Sequence, residues 1–458
     1  SLTASSGTGG TVTEPSATAS NNGVFYAYVT GVARAFREPG IQPPDPAPAG
    51  TIPPIPRWDG NPEVLRVDSD GLVGTTALLI GAGQTVANVT GPLDYGFRRY
   101  QLLPESNLTA AGTRPTVVVS PPLANELTIA SYNLQRFFDD VNDPAIGEPV
   151  LTSVAYGNRL AKASLGIRNA LQTPDIVGVI EVENLSTLQA LATRINSDAV
   201  AASQPDPQYV AYLVEGNDVG GIDVGFLVKT ATVVGATPRV TVNAVVQELD
   251  ASLFTNPDTT TETLHDRPPL RLDAVVNTAA GQTYPVTVIV NHLRSLNGSD
   301  DTTAGSNGWA TVGQRVRAKR QAQAVDLANL VQTRQINNPT ESIVLVGDFN
   351  AFEFNDGLAD TMNTIAGTPT PDNQTAVTGD GADLVTPDLD NLFDSPVAAE
   401  RYSYVFDGNA QSLDHALVSA SVIGNTAARR LEHARINADF AEADRNNAAT
   451  PNRLSDHD

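Results

Sequence analysis

Short apolar runs separated by polar turns dominate the chain from residue 23 to residue 104. Such runs are typical of β-strands, and no stretch of this region repeats with the period of a helix. The runs cover residues 24–29, 64–67, 77–80 and 100–103. We therefore predict a small all-β, barrel-like module over residues 23–104, of the OB-like kind.

The segments next to this module differ from it in composition. Residues 1–22 are rich in Ser, Thr, Gly and Ala, which predicts a flexible leader. Prolines crowd residues 43–56, which predicts an irregular loop. Residues 105–124 are polar and contain proline, and we interpret them as a connector.

A different pattern begins at residue 125, where apolar runs alternate with segments of helical period. Strands are predicted over residues 127–133, 175–181, 224–228, 286–291, 343–346 and 416–418, and helices over 156–171, 186–195 and 312–334. Near-continuous apolar strands indicate sheets that are covered on both faces. The fold class predicted for residues 125–458 is a layered α/β sandwich, with two packed mixed sheets flanked by helices.

Composition and charge restrict the functions that this chain can have. The net charge is −23, and Lys162, Lys229 and Lys319 are the only lysines. A chain this acidic is not expected to hold a polyanion on a broad basic face. It has no cysteine, which excludes disulfides, thiolate zinc sites and thiol nucleophiles. No apolar run reaches the length of a membrane span, so we predict none.

Carboxylate and amide side chains follow several of the predicted strands. Asp348 and Asn350 come after the strand over residues 343–346, and the strand period of two places both on one face. Glu181 and Asn133 stand at the ends of two further strands. Oxygen ligands of this kind suit hard divalent cations. Turn formation is the alternative for Asp348, Asn350 and Asn133, and Glu183 is interpreted as a solvated strand end.

Two of the five histidines lie outside any apolar helical stripe. His292 ends a strand, and His457 follows Asp456. A histidine paired with a carboxylate is the usual unit of proton transfer, and Asp414 is a plausible orienting partner. His415 alternates to the other face of its strand, and we assign it to packing.

Arginines supply candidate contacts to a substrate anion. Arg267 lies in a stiff His-Asp-Arg-Pro-Pro loop, and Arg294 follows the strand that carries His292. We predict that both bind substrate. The dense positive run over residues 315–320 has helical spacing, so most of its members are interpreted as surface charges.

Six short motifs, taken in order, resemble the endonuclease/exonuclease/phosphatase superfamily, and within it the bacterial secreted nucleases. They are Ser-Tyr-Asn at 131–133, Ile-Glu at 180–181, Asn-His at 291–292, Gly-Asp-Phe-Asn at 347–350, Leu-Asp-His at 413–415 and Ser-Asp-His at 455–457. The resemblance covers most of residues 125–458 as a catalytic domain.

The resemblance implies a role for each of these residues. Asn133, Glu181 and Asp456 would hold a metal, Mg²⁺ or Mn²⁺ with Ca²⁺ as an alternative. The implied catalytic residues are Asp348 for the attacking water, Asn350 for the phosphate, His292 and His457 for phosphate contact and protons, and Asp414 for orienting His457.

The implied activity is metal-dependent hydrolysis of phosphodiesters by in-line attack of water. We expect an extracellular or periplasmic nuclease that takes DNA, with RNA as an alternative, and no obligate protein partner. Open alternatives are a phosphatase or phospholipid phosphodiesterase of the same superfamily, and an adhesion or matrix protein with a decayed catalytic domain. No exposed aromatic hairpin for lipid is evident in the sequence, and residues 1–124 are expected to be dispensable for hydrolysis of small substrates.

Overall fold

The computed structural model describes residues 1–42, 55–114 and 116–458. Most of the loop predicted over residues 43–56 lies outside these described residues. The chain forms an N-terminal β module and a larger α/β sandwich.

The N-terminal module contains one seven-stranded sheet and a small hairpin. The strands are β1 Leu2–Ala4, β2 Val12–Thr13, β3 Thr18–Ala19, β4 Val24–Val29, β5 Leu65–Asp68, β6 Thr85–Val86, β7 Leu93–Gly96, β8 Arg99–Leu102 and β9 Ala110–Ala111. The order in the sheet is β7-β8-β5-β4-β1-β6-β9, and β2 pairs with β3. The pairing leaves β7 and β9 at opposite edges, so the described strands form an open sheet and not a closed barrel.

The predicted flexible leader over residues 1–22 is wrong at its start, because β1 lies in the middle of this sheet. It pairs with β4 on one side and with β6 on the other. Leu2 and Ala4 alternate into the same core as Phe25 and Val67. Two apolar side chains are enough to order this strand because it also forms hydrogen bonds with both neighbouring strands. The composition of the segment does not reveal this pairing. The predicted connector likewise contributes β9 to the sheet edge.

The sandwich contains two larger sheets and three short hairpins. Its strands are β10 Ile129–Phe137, β11 Ile176–Val182, β12 Tyr209–Leu213, β13 Asp223–Lys229, β14 Thr232–Val234, β15 Thr237–Pro238, β16 Val240–Gln247, β17 Leu253–Thr255, β18 Thr261–Thr263, β19 Leu270–Asn277, β20 Thr283–His292, β21 Ile343–Asp348, β22 Asp390–Asn391, β23 Tyr404–Phe406, β24 Asn409–Gln411 and β25 Asp414–Val418. One sheet has the order β10-β11-β13-β12 and the other β16-β19-β20-β21-β25-β22.

The two sheets pack face to face through a shared apolar core. Ile180 and Phe226 from the first sheet join Val288, Val290 and Val346 from the second in one buried cluster. Gly178 lies where the sheets come closest, since a Cβ there would be 3.0 Å from a methyl group of Val290. Both sheets contain parallel and antiparallel pairs, as the sequence predicted for a mixed α/β sandwich.

Helices cover the outer faces of both sheets. They are α1 Ser153–Leu165, α2 Leu185–Ala201, α3 Val312–Asn337, α4 Thr361–Ala366 and α5 Ala420–Asn425. Apolar side chains of α1 and α2 pack on the first sheet, and those of α3 and α4 on the second. This confirms the layered α/β sandwich. Among the described residues, none of the helices combines the length and the apolar character that crossing a bilayer requires.

The module and the sandwich share a polar, buried interface. Arg34 of the module places its Nη2 atom 2.8 Å from Asp439 Oδ1, and its guanidinium lies 4.4 Å from the ring centre of Tyr402. Asn61 donates to Asn409 over 2.8 Å, and the Tyr26 hydroxyl donates to Asp407 over 2.7 Å. The β module is therefore attached to the sandwich by directional contacts from several of its loops and strands.

Candidate active site

The ends of five strands bring the predicted site residues to one edge of the sandwich. In the parallel pair β10–β11, Asn133 lies opposite Ile180, and Glu181 is the next residue of β11 after Ile180. In the parallel pair β20–β21, His292 lies opposite Asp348. The antiparallel neighbour β25 places Asp414 opposite Asp348. Carboxyl ends of neighbouring parallel strands meet at one edge of an open α/β sheet, where sites commonly form.

A bulge in β11 aims Glu181 out of the regular strand pattern. The register of the β11–β13 pair shifts between Ile180 and Val182, and Glu181 has a φ of +61°. A non-glycine residue in this region costs about 1–3 kcal/mol, which surrounding contacts must offset. One such contact is the backbone N–H of Arg136, which donates to Glu181 Oε2 over 2.8 Å. The bulge directs the carboxylate toward the neighbouring sheet.

The amide of Asn133 joins the carboxylates of the two sheets. Its Nδ2 atom donates to Glu181 Oε1 over 3.1 Å and to Asp348 Oδ2 over 3.3 Å. Its Oδ1 atom accepts from the backbone N–H of Gln135 over 2.8 Å. Asn133 therefore positions both carboxylates, and its predicted role as a metal ligand through Oδ1 remains a prediction.

The segment from Gly347 to Asn350 is fixed tightly against β20. Gly347 has a φ of +137°, and a Cβ there would lie 2.0 Å from the carbonyl oxygen of Asn291, so only glycine fits. The backbone N–H of Asn350 donates to Asp348 Oδ1 over 2.8 Å. Asn350 Nδ2 donates to the Leu293 carbonyl over 3.1 Å. These bonds hold the carboxylate and the amide side by side.

His457 is paired with a carboxylate, as the sequence predicted. Its Nδ1 atom lies 2.7 Å from Asp414 Oδ2, and its Nε2 atom lies 3.8 Å from Asp348 Oδ2. The ring is buried, and burial alone would lower its pKa. The charges of Asp414 and Asp348 outweigh burial and raise the pKa of His457 well above its ordinary value. Tyr404 covers the ring, with centroids 4.8 Å apart.

The loop that carries His457 is anchored on both sides. Asp458 Oδ1 accepts from the backbone N–H groups of Ile436 and Asn437, and the Asp458 N–H donates to the Ser403 carbonyl. The Ser403 hydroxyl in turn accepts from the Asp414 N–H over 3.1 Å. Both members of the Asp414–His457 pair therefore depend on the segment around Ser403.

His292 has the opposite electrostatic setting. Its Nε2 atom also lies 3.8 Å from Asp348 Oδ2, and its Nδ1 atom is buried without a hydrogen-bond partner. Burial is the main cause that lowers the pKa of His292 well below its ordinary value, and the charge of Arg267 adds to it. Arg267 directs its Nε–H toward the His292 carbonyl over 3.4 Å and forms an ion pair with Asp218 over 2.8 Å.

The carboxylates of the site crowd one another. Burial and the charge of Asp414 raise the pKa of Asp348 and His457 lowers it, with a net pKa of about 7. Burial and the charge of Asp456 raise the pKa of Glu181. Buried carboxylates with raised pKa values are stabilised in their charged form by a bound cation.

The donor set fits a hard divalent cation. Ligand atoms of Glu181, His292 and Asp348 all lie within 4.8 Å of one another, and Asp456 Oδ1 lies 4.0 Å from His457 Nε2. A second such group contains Asp348, Asp414 and His457, but its last two members are already bonded to each other. Glu181 and Asp348 are the carboxylates of the first group that would hold a divalent cation, and the ligand role of Asp456 remains a prediction.

The structure brings together the predicted residues of the catalytic and metal sets, but it places the arginines elsewhere. Arg267 lies behind His292, where Asp218 and main-chain carbonyls engage it. Arg294 is next to it, with its backbone N–H bound by Gln323. Their role in binding substrate remains a prediction, and the contacts of Arg267 are those of a residue that positions His292.

Two sequence interpretations near the site were wrong. Glu183 is not solvated: its side chain is buried, accepts from the Asp139 N–H over 2.6 Å, and has its pKa raised by burial to about 7. Arg320 is not a surface charge, since it pairs with Asp356 over 3.1 Å and donates to the Asn350 carbonyl over 2.8 Å. His415 was interpreted correctly, since it is buried and contacts the Ala351 carbonyl.

Sequence reasoning assigned no role to Tyr404, Ser403 or Arg320. Tyr404 and Ser403 belong to a Tyr-Ser-Tyr run just before the Leu-Asp-His motif, and that proximity was the available signal. The side-chain orientation of Arg320 within α3 could not be read from helical spacing, because the helix is buried on several sides near its start.

Comparison with solved structures finds proteins that this chain resembles at low sequence identity. An endonuclease/exonuclease/phosphatase family protein from Bacteroides thetaiotaomicron is 16% identical, covers 64% of this chain and 83% of its own, and has a TM-score of 0.35. Humanized zebrafish (D. rerio) TDP2 is 16% identical, with coverages of 66% and 85% and a TM-score of 0.34. A hairpin-deletion mutant of Staphylococcus aureus beta toxin is 15% identical, with coverages of 67% and 90% and a TM-score of 0.35.

These similarities are low in both identity and TM-score and identify no activity on their own. No family model matches the sequence, and no curated protein matches it. The activity has to be inferred from the residues of the site.

Proposed function

We propose that this chain is a divalent-metal-dependent phosphodiester hydrolase that cleaves nucleic acid. The observation that carries the proposal is the array around Asp348. A charged Asp414–His457 pair lies on one side of the Asp348 carboxylate, and a neutral His292 lies on the other. Asn133 donates hydrogen bonds to both Asp348 and Glu181 and so links the two carboxylates. This set combines a base, an acid and cation ligands within one buried edge, as hydrolysis of a phosphodiester requires.

Each residue has a task in the proposed reaction. Asp348 accepts a proton from the attacking water as the water oxygen bonds to phosphorus and the bond from phosphorus to the leaving oxygen breaks. Protonated His457 donates a hydrogen bond to a phosphoryl oxygen, where negative charge grows in the transition state. Neutral His292 offers a hydrogen bond without adding charge. Asn350 contacts the phosphate, and a bound divalent cation would neutralise charge on its oxygens.

The substrate is proposed from the motifs and from the site together. The sequence resembles bacterial secreted nucleases, so DNA is the proposed polymer and the extracellular space or periplasm the proposed location. RNA is the alternative polymer. The acidic chain offers no broad basic face, so we expect modest affinity for DNA with turnover supported by the local site.

One experiment tests this proposal. The protein is incubated with supercoiled plasmid, linear DNA, RNA and bis(4-nitrophenyl) phosphate, each with Mg²⁺ or Mn²⁺ and each with EDTA. We expect metal-dependent cleavage of the chromogenic diester and of at least one polymer. Absence of cleavage of all four substrates with either metal would contradict the proposal.

A further inference from the structure

A cleft between the N-terminal module and the sandwich reaches the candidate active site. Its volume is about 830 Å³, and at its inner end it is lined by Asn350, Tyr404 and His457. The module contributes the opposite wall, including Tyr95 and Tyr100. A substrate that occupies this cleft would therefore touch both parts of the protein.

Exposed aromatic rings line this cleft. Tyr95 and Tyr100 pack edge to face across the β7–β8 hairpin, with ring centroids 5.4 Å apart, and are 63% and 48% exposed. The expectation that the chain has no exposed aromatic hairpin was therefore wrong, because cross-strand pairing brings together rings that lie five residues apart in sequence. Phe406 stands on β23 of the sandwich and is 54% exposed. Rings from both parts of the protein in one cleft indicate a ligand with flat faces.

The charges along the cleft are balanced. Arg37, Arg98 and Arg99 line it, and so do Asp59, Asp300, Asp356 and Asp407. Two of these acids are paired, Asp407 with Arg99 over 3.8 Å and Asp356 with Arg320 over 3.1 Å. A polyanion bound mainly through its phosphates requires an excess of positive charge. The described lining fits contacts to bases better than contacts to a long phosphate backbone.

We propose that this cleft binds a single-stranded stretch of the nucleic acid, with bases stacked on Tyr95, Tyr100 and Phe406 and the scissile phosphate at Asn350 and His457. The inference rests on the proposed hydrolysis of nucleic acid. In a duplex the flat faces of the bases are hidden in the stack, so aromatic rings can reach them only in an unpaired strand. The volume is that of a small-ligand pocket, which suits a few nucleotides.

The expected effect follows from the strength of stacking on aromatic side chains. Removal of one stacking ring weakens single-strand binding roughly 5- to 100-fold. Because the rings lie away from the reacting groups, the loss should fall on KM for oligonucleotides. A substrate too small to span the cleft should keep its rate.

The test compares three variants from the same hairpin. In Tyr95→Ala/Tyr100→Ala the rings that line the cleft are removed. In Phe97→Ala, the matched control, the removed ring is 77% exposed, packs under Arg66 and is not among the residues that line the cleft. Tyr95→Phe/Tyr100→Phe keeps the stacking faces and should behave as wild type. All three are assayed with Mn²⁺ on a fluorescent oligo-dT strand, on a blunt duplex, on bis(4-nitrophenyl) phosphate, and on sphingomyelin and phosphatidylcholine vesicles.

We expect the double alanine variant to raise KM for oligo-dT by at least roughly 5-fold, the smallest loss for one ring, with unchanged rates on the chromogenic diester and little change on the duplex. Phe97→Ala should match wild type on all three substrates. Equal KM values for wild type and the double variant, or an equal loss on duplex, would overturn the inference while leaving hydrolysis intact. A loss confined to sphingomyelin or phosphatidylcholine vesicles would also overturn it, in favour of a lipid surface. No metal-dependent turnover of any substrate by wild type would refute the proposed function instead.

Discussion

Two histidines lie at the same distance from one carboxylate, yet their surroundings prepare them for different tasks. The Nε2 atoms of His292 and His457 are each 3.8 Å from Asp348 Oδ2. His457 has Asp414 behind its ring, whereas the backbone of His292 has Arg267 behind it. The pKa of His457 is raised well above its ordinary value and that of His292 is lowered well below it. The neighbouring charges, together with burial, therefore shift the pKa values of two identical side chains in opposite directions and suit them to different catalytic roles.

The largest expected effect is the loss of the charged histidine. His457→Ala removes the group that donates to the phosphoryl oxygen, so turnover of bis(4-nitrophenyl) phosphate should fall by roughly two to four powers of ten. His433→Ala serves as the control, since among the described residues its ring forms a hydrogen bond with the Glu400 carbonyl and with no residue of the site. Loss of a general acid or base lowers the rate at least about 100-fold. If His457→Ala retained more than about a tenth of the wild-type rate, the role assigned to His457 would be wrong.

The next effect concerns the cation ligands on the His292 side. Glu181→Gln keeps the size of the side chain and one acceptor oxygen, so it can keep one of the two hydrogen bonds from Arg136 and Asn133, and it removes the charge. We expect the metal concentration for half-maximal rate to rise about 10- to 100-fold, with the melting temperature little changed. A titration of rate against Mg²⁺ measures this. Wild-type turnover at limiting Mg²⁺ would contradict the assignment of Glu181.

A smaller effect on turnover is expected when a contact of the N-terminal module that supports the His457 segment is removed. Arg34 packs on Tyr402, whose hydroxyl donates to Asp439. The guanidinium of Arg435 lies 3.5 Å from the centre of the same ring and pairs with Asp458 over 3.3 Å. Because this cluster supports the segment that carries His457, we expect Arg34→Met to lower kcat on the small diester several-fold. The variant also tests the expectation that residues 1–124 are dispensable for small substrates, which predicts no loss of kcat.

Arg114 offers a matched control for Arg34. It also joins the N-terminal part to the sandwich through a carboxylate, Asp444 at 2.7 Å, and a ring, Phe440 at 4.6 Å. Arg114→Met should lower the melting temperature by a similar amount without the loss in kcat. Equal losses of kcat in both variants would show that the interface acts through stability alone.

The smallest expected effect is a shift in the titration of His292. Its lowered pKa means that the unfolded chain binds a proton that the folded chain rejects, so acidification below the ordinary pKa of about 6.5 destabilises the fold. Arg267→Gln removes a positive charge that contributes to this shift. The pKa of His292 should therefore rise, and stability should fall less steeply with acid. Imidazole NMR of the metal-free protein measures this, and an unchanged His292 titration would contradict the comparison.

The sequence predicted the sandwich because the alternation of apolar strands and helices is a local pattern, whereas the roles of the site residues remain predictions. Alternation along a strand placed Asp348 and Asn350 on one face, and their position after an apolar run placed them at a strand end. Glu181 and Glu183 show the limit of this reasoning. Strand alternation puts both on one face, but the bulge at Glu181 directs one toward the site and leaves the other buried against Asp139. A bulge depends on the register of two strands, which no local pattern reveals.

The N-terminal region was predicted less well because its contacts are distant in sequence. β1 forms only because β4 and β6 flank it, and Arg34 is buried only because Tyr402 and Asp439 meet it from the sandwich. Residues 1–22 are rich in Ser, Thr, Gly and Ala, which contribute little to an apolar core. This composition could not show that hydrogen bonds from two neighbouring strands would order them.

The central claim is that a buried carboxylate array with two oppositely tuned histidines hydrolyses phosphodiesters with the help of a divalent cation. The most direct measurement is the rate of bis(4-nitrophenyl) phosphate hydrolysis by the full chain, first in excess EDTA and then after addition of Mg²⁺ or Mn²⁺. Our account predicts no turnover with chelator, recovery with either metal, and no recovery to the wild-type rate in His457→Ala. Undiminished hydrolysis in excess EDTA would contradict it.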